Sequence, residues 1–390
     1  MSQEDFAELN PAPTRADASH AASTWRGPKG LEALAGEWRR LEVAAEAAPL
    51  PLALARARAG GRDSRLIAVR KGGRLVGVWG FEVLRFGPIG CAVRLGGALQ
   101  ASDGPTVANG ADGAAVVRAA WEELRRWSDT HAVDLAVLEQ GCAALTLPAV
   151  AAVAAPCSPA LRLEVGAWSG PPEALPSLSS SRRKSLRRHR RRLADQGALR
   201  LVRERSAEGR ARTTREAIAL KRAWLADRGL RNPALASDWL ADTLTAALTD
   251  PDGAAPYEVF RLTVDGRTAA IEVGLIDGLT YRSYLGAYAP EFADHGPGKL
   301  LTADVARWCR AQGLAAYDLL PPVTDFKRSW CDGRREMSRA VVPLRHRARL
   351  VLPLIRSGRG RLKQAYHALS EPQRAWLNAA ADRLAARLDR

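Results

Sequence analysis

The apolar positions of this chain fall into helical and strand-like runs that occur twice in the same order. Leu31, Leu34, Trp38 and Leu41 share one stripe at helical spacing and predict a helix over Gly30 to Ala48. Two β-favouring runs follow, Arg65 to Val69 and Leu75 to Phe81, joined by Lys71-Gly72-Gly73, which predicts a hairpin. After a glycine-rich stretch, Gly87 to Gly97, come a helix from Ala114 to Trp127 and a short strand from Val133 to Leu138. The second half starts the series again with strands Tyr257 to Val264 and Thr268 to Ile276 around an Asp265-Gly266 turn. A strand dense in aromatic residues, Tyr281 to Tyr288, then runs to Gly296-Pro297-Gly298. A helix opens there with Leu300, Leu301, Val305 and Trp308 on one stripe, and Gly313 ends it. A strand from Ala315 to Leu320 completes a βαβ crossover. The segments RKGGRLVGVWGFEV and TVDGRTAAIEVGLI are alike, as are HAVDLAVLE and AAYDLLPP, which fits duplication of one α/β unit.

The same pattern marks ends and joins. Residues 1–24 show no periodicity and are expected to be disordered. The Pro- and Ser-rich stretch Gly170 to Ser181 is expected to join the halves. The domains are therefore expected at 25–175 and 176–345, followed by a helical extension over 346–390. In that extension Ser370-Glu371-Pro372-Gln373 is a capping box ahead of a stripe of Leu377, Ala380, Leu384 and Leu388. A further helix is expected from Thr213 to Asp227.

Composition narrows the partners. A net charge of +16 points to anions: a phosphorylated cofactor, nucleic acid or the inner membrane surface. The five cysteines are scattered and lack C-x-x-C spacing, which argues against a disulfide framework and against a zinc site. The polar, acidic N-terminus is unlike a signal or transit peptide, and no apolar run has the length of a membrane span. A cytoplasmic protein, with the inner membrane surface as a place of association, is the expectation. Much of the charge sits in SRRKSLRRHRRRLADQG, residues 181–197, where Leu186 and Leu193 share one face. That segment fits a phosphate- or nucleic-acid-binding helix, or a solvated basic helix docked by its leucines. Without interleaved aromatic residues it is not suited to stacking single-stranded bases.

The Gly296-Pro297-Gly298 turn carries the sharpest chemistry. Glycine allows close approach of the backbone to a ligand, and the free N–H groups of the following helical turn face an anion such as a pyrophosphate. An ordinary tight βα turn without a ligand is the alternative. A Walker loop is ruled out by Ala293 and Leu300 at the positions needing Gly and Ser/Thr, and no G-x-G-x-x-G follows a strand.

Five motifs in order now resemble a known family: S-R-R-K-S-L-R-R…Q-G at 181–197, A-x-x-x-K-x-x-W at Ala217 to Trp224, Y-L-G-A-Y…G-P-G-K-L-L, A-x-x-x-G-L-x-x-Y-D, and F-K-R-S-W. Together they resemble the CelD/BcsL-like acyltransferases of the GNAT superfamily, relatives of the FemAB transferases. The likeness covers roughly residues 25–345. It implies an α/β (α+β) tandem GNAT fold, an acyl-CoA (acetyl-CoA) co-substrate with no metal, and a role in bacterial cellulose or exopolysaccharide biosynthesis. By position, Gly296, Pro297, Gly298 and Lys299 match the pyrophosphate loop, and Asp318 and Lys327 match the family's Asp and aromatic-Lys pair. Two departures stand out: Pro321-Pro322 replaces a glycine after the Asp, and Phe326 replaces a tyrosine.

Acyl transfer to an amine needs a base, a polarised carbonyl and a bound donor. Glu272, mid-strand among apolar neighbours, and Asp318, at a strand end in the crossover, are the candidate bases. Lys327 could neutralise an oxyanion or hold a substrate phosphate or carboxylate. Tyr284 and Tyr288, expected on one face of their strand, are candidate substrate contacts. His295 lies beside the glycine turn, whereas Cys309 and Cys331 lack a histidine partner in the local sequence, which argues against a thiol nucleophile. Each of these side chains also has an ordinary packing or surface reading. The acceptor is expected to be a saccharide or small molecule, with peripheral association with an inner-membrane polysaccharide synthase. A FemAB-like transferase using aminoacyl-tRNA, and a non-catalytic subunit of such a synthase, are the competing readings; only the first of these involves nucleic acid.

Overall fold

A computed structural model describes residues 19–349, except 61, 101, 170–174, 176, 231, 237, 251 and 253–255, together with 369, 370 and 373. Half of the expected join and most of the C-terminal helix therefore lie outside the described residues, although Ser370 N–H does donate to Gln373 Oε1 at 2.9 Å, half of the expected capping box.

The first half runs β1 (His20–Arg26), α1 (Gly27–Ala44), α2 (Leu52–Ala59), β2 (Ser64–Lys71), β3 (Arg74–Phe86) and β4 (Ile89–Arg94). It continues with β5 (Thr106–Val107), α3 (Gly113–Arg125), β6 (Ala132–Glu139), α4 (Pro148–Ala151), β7 (Ala155–Pro156) and β8 (Ala160–Leu163). The second half opens with α5 (Ser180–Ala194), β9 (Leu199–Arg203), α6 (Ala207–Asp227), α7 (Pro233–Ala236) and α8 (Trp239–Leu248). Then come β10 (Tyr257–Val264), β11 (Arg267–Asp277), β12 (Thr280–Tyr288), α9 (Pro297–Ala311) and β13 (Ala316–Asp318). The end is α10 (Asp325–Trp330), β14 (Gly333–Arg335) and β15 (Met337–Pro343).

Two mixed sheets result, in the orders β1-β2-β3-β4-β6-β15-β7 and β9-β10-β11-β12-β13-β8-β14, with β5 pairing β3 beside the first path. The repeat is plain in the register. In each half three antiparallel pairings lead to a strand that pairs in parallel with the one beyond a crossover helix: β4 with β6, and β12 with β13. The next position is exchanged. β15, from the end of the described chain, closes the first sheet against β6, while β8, from the first half, closes the second against β13. The sheets are thus not divided at residue 175.

Residues 20–24, expected to be disordered, form most of β1. Its alternating exposure along HAASTWR is that of an edge strand paired on one side only, where small polar residues suffice. Elsewhere, burial follows the expected stripes. Leu31, Leu34, Trp38 and Leu41 of α1 join residues of α2, α6 and α8 in one core between the two sheets. A second core lies under α9 and α5, and includes Leu186, Leu193, Phe260, Tyr281, Leu300 and Val305. A third packs α3 on the far face of the first sheet through Val116, Trp121, Ile67 and Trp79. No helix among the described residues is long and apolar enough to cross a membrane.

Candidate active site

The parallel pairing of β12 with β13 covers only Thr280–Arg282 against Ala316–Asp318. Beyond Arg282, β12 continues for six residues to Tyr288 with β11 on one side and, among the described residues, no partner strand on the other. The chain leaving β13 turns away at Leu320, whose φ of +56° is left-handed, and enters Pro321-Pro322, joined by a cis peptide bond. The sheet therefore splits at this point into a cleft open at one end. The N-terminus of α9 stands at the mouth.

Glycine placement outlines the space. Gly296 caps α9 with φ +58°, a conformation that side chains resist, and no side chain caps the helix. Gly298 has no such backbone requirement, and a Cβ there would touch only Tyr288, at 3.8 Å. Gly286, on β12, is exposed and would have nothing within 4 Å of a Cβ. Neither glycine is forced by packing, so both leave room along the cleft, as a closely approached backbone requires.

Beside the mouth, α5 lies along α9. Together with the start of α10 they line a groove of about 410 Å³ that includes Arg182, Ser185, His189, Lys299 and Phe326. Leu186 and Leu193 dock α5, and Arg190 pairs with Asp304 of α9. Burial, with Lys299 and neighbouring arginines, pushes the His189 pKa down, so an anion in the groove would be met by a ring that can take up a proton. Arg182, Lys184, Arg187, Arg188, Arg191 and Arg192 remain exposed on α5.

The two candidate bases have contrasting surroundings. Glu272 is 4% exposed and sits directly across from Gly286, on the face of the sheet covered by α9. Tyr317 donates its hydroxyl to both carboxyl oxygens, at 2.7 and 2.8 Å. Burial nevertheless raises the pKa of Glu272 to about 7, against the lowering by that hydrogen bond. Asp318 is fully buried and already engaged: it accepts from Leu320 N–H at 2.7 Å and pairs with Arg335. Arg335 and Arg282 both reach Glu139 at the end of β6, and Arg282 also pairs with Asp277 at 2.8 Å. This buried network links the apex of the cleft to the first sheet. Burial opposes the charge of Glu139, but the two guanidiniums hold its pKa below the usual carboxylate value.

Lys327 donates to the carbonyls of Leu320 and Pro322, at 2.6 and 2.9 Å, and so braces the wall that leaves β13. The expected shared face of Tyr284 and Tyr288 is not observed. A bulge between Val273 and Gly274 inserts Tyr284 as an extra residue in β12 and reverses the alternation. Tyr284 packs into the core between the sheets and donates to Leu99 O, whereas Tyr288 packs on the α9 side and accepts from Trp224 Nε1 at 2.9 Å. His295 touches Gln196, with 2.6 Å between their nitrogens. Cys309 is buried in the core, and burial raises its pKa, which leaves a thiol with little nucleophilic character. Tyr317, Arg282, Arg335 and His189 were not singled out from the sequence; the repeated strand–helix–strand pattern could have marked Tyr317, beside Asp318, as a partner of β12.

Among the described residues the first unit has no such opening. Its β4 and β6 pair over Cys91–Val93 and Ala132–Asp134, but the chain after β4 folds back into the gap. There Asp103 N–H donates to Val137 O at 2.6 Å, and Val137 N–H donates to Asp103 Oδ2 at 2.7 Å. The N-terminus of α3 is capped by the side chain of Asp112, which accepts from Ala115 N–H.

Residues 180–328 match the family described as acetyltransferase (GNAT) domain. No curated protein matches the chain by sequence. Among solved structures, the C-terminal domain (DUF2156) of a putative lysylphosphatidylglycerol synthetase from Agrobacterium fabrum is similar, at 14% identity and a TM-score of 0.50, over 82% of this chain and 95% of that one. A conserved protein of unknown function from Bacteroides thetaiotaomicron VPI-5482 is similar at 12% identity and a TM-score of 0.51, over 79% and 97%. FemX has 14% identity and a TM-score of 0.48 over 71% and 88%. The match, the mixed sheets and the repeated register give one conclusion: this chain has a tandem GNAT fold whose second unit carries an acetyltransferase (GNAT) domain, and it is an acyltransferase.

Proposed function

We propose that the second unit transfers an acyl group, acetyl first among the candidates, from acyl-CoA to an amine or hydroxyl in bacterial polysaccharide or envelope biosynthesis. The observation that carries this is the pair of unforced glycines, Gly286 and Gly298, beside the half of β12 that β13 leaves open. The biosynthetic setting is supported by the likeness of the five ordered motifs to CelD/BcsL-like enzymes.

The co-substrate supplies an activated thioester, and the protein's task is binding, orientation and proton removal. The uncapped N-terminus of α9, with Lys299 and the cations of α5, suits the phosphates. Glu272, with its pKa raised to about 7, is suited to take a proton from the attacking group near neutral pH. Asp318 and Lys327 position the opposite wall. A second reading, an aminoacyl-tRNA donor, draws on the six exposed cations of α5 beside the same groove.

Calorimetric titration with acetyl-CoA at two salt concentrations tests the proposal. Saturable one-site binding that is lost in Gly298→Val is the expected outcome. If no acyl-CoA binds while tRNA binds with a steep salt dependence, the donor is tRNA.

A further inference from the structure

Two ammonium groups approach the cleft mouth from opposite walls, and among the described residues neither forms an ion pair. Lys221 lies on α6, in the A-x-x-x-K-x-x-W stretch, and packs 4.4 Å from the centre of the Trp224 ring. The same indole donates to Tyr288 at the end of β12, and Tyr288 is the residue facing Gly298. From the other wall comes Lys327, whose acceptors are the two loop carbonyls. Burial pushes the Lys327 pKa down; Asp318 favours its charge, and Lys221 is near enough to disfavour it. Burial acts on both amines in the same direction.

The neighbouring charges are already engaged. Arg228, stacked 4.4 Å from the Trp224 ring centre, pairs with Asp227, and Asp318 pairs with Arg335. Among the described residues no carboxylate is in ion-pair contact with Lys221 or Lys327. Half-burying two like charges around one gap is costly unless something brings the opposite charge. The donor's phosphates have their own cations available, Lys299 and Arg182, on the α9 and α5 side. Lys221 instead reaches the mouth from α6, which packs on the opposite face of the sheet.

We infer that Lys221 and Lys327 together hold an oxyanion of the acceptor, a phosphate or a carboxylate, at the mouth of the second unit's cleft. This rests on the second unit being the catalytic one. An acceptor of this kind is anchored by its anion while its amine or hydroxyl lies toward Glu272. Trp224 holds Lys221 in place and ties it to Tyr288.

The test is protection from amine acylation by succinimidyl acetate, read peptide by peptide by mass spectrometry on the full chain. Inorganic phosphate and acetate are the probes, each with and without CoA. Phosphate at ten times its Kd, with CoA saturating, is expected to slow labelling of Lys221 and Lys327 about tenfold, because about one site in ten stays free. CoA alone is expected to protect Lys299 and to leave Lys221 reactive. In Lys221→Gln the protection of Lys327 by phosphate is expected to disappear. The inference is overturned if phosphate and acetate protect neither lysine, or if CoA alone protects Lys221 and phosphate adds nothing, which makes the anion the donor's. It is also overturned if Lys327 stays protected in Lys221→Gln. If CoA fails to protect Lys299 while phosphate still protects Lys221, the acyl-CoA reading falls and the anion site stands. The stronger protector of phosphate and acetate names the oxyanion.

Discussion

The two units share one plan, yet among the described residues only the second opens between its parallel strands. In the second, β12 runs on past its parallel partner, held by β11 alone, and an uncapped helix stands at the opening. In the first, the equivalent gap is stitched shut by the chain itself through Asp103 and Val137, and the equivalent helix satisfies its own first turn with Asp112. The glycines differ in the same sense. A Cβ on Gly90 of β4 would meet Asp129 O at 2.1 Å, so that glycine is required by packing, whereas Gly286 of β12 faces open space. A fold that can hold a ligand between two strands can equally hold a piece of its own chain there. In the first unit the chain itself occupies that place, and part of this plug, Leu99, receives the Tyr284 hydroxyl of the open unit.

The sharpest break in this comparison is a matched pair of substitutions. Gly298→Val is expected to abolish acetyl-CoA binding, and Gly113→Val, at the start of α3, to leave it unchanged; calorimetry reads both. Equal loss in the two variants would mean that both units serve the donor. Next in size is Glu139→Gln, which takes the shared carboxylate from Arg282 and Arg335. Removing one partner of a buried ion pair costs about 3–5 kcal/mol, and because the network joins the two sheets, denaturant melts are expected to show both units losing stability in one transition.

Glu272→Gln is smaller and depends on pH. The folded-state pKa of about 7 lies above the ordinary glutamate value of 4.5, so the folded protein binds the extra proton between those values. Stability from this group therefore falls as pH rises from about 4.5 through 7, and the neutral glutamine removes that loss, worth up to about 3 kcal/mol above pH 7. Turnover is expected to drop in the same variant, and the wild-type rate to climb with pH through about 7. A variant that is neither more stable at pH 8 nor slower would remove Glu272 from the mechanism. The smallest effect belongs to Asp112→Ala, which uncaps α3. A slight loss of thermal stability with no gain of CoA binding is expected, since the plug still fills the gap.

Much of this was legible in the residues because local pattern and tertiary role agree. The strand Tyr257–Val264 begins and ends where its apolar run and the Asp265-Gly266 turn place it. The helix after Gly296 is likewise set by Pro297 and its stripe. What stayed hidden depended on distant partners. β8 is short, and only the exchange between the sheets gives it and β15 their neighbours. LALARARA of α2 lacks a clear stripe because Arg58 is itself buried, paired with Glu82. The separation of Tyr284 from Tyr288 turns on a single inserted residue, which period-two counting cannot see. At the site, Gly296 to Lys299 could be named from the turn alone, whereas the plug over the first cleft and the guanidiniums around Asp318 come from segments far apart in the chain.

The exchanged strands also bear on how the protein is made. β6 leaves the ribosome with its outer edge bare, and its partner β15 follows only about 200 residues later. At cellular synthesis rates the first sheet waits roughly 10–40 s for its missing neighbour. During that interval the nascent chain presents an unpaired edge that other chains can join, so early handling by a chaperone would protect yield more than any change to the finished molecule.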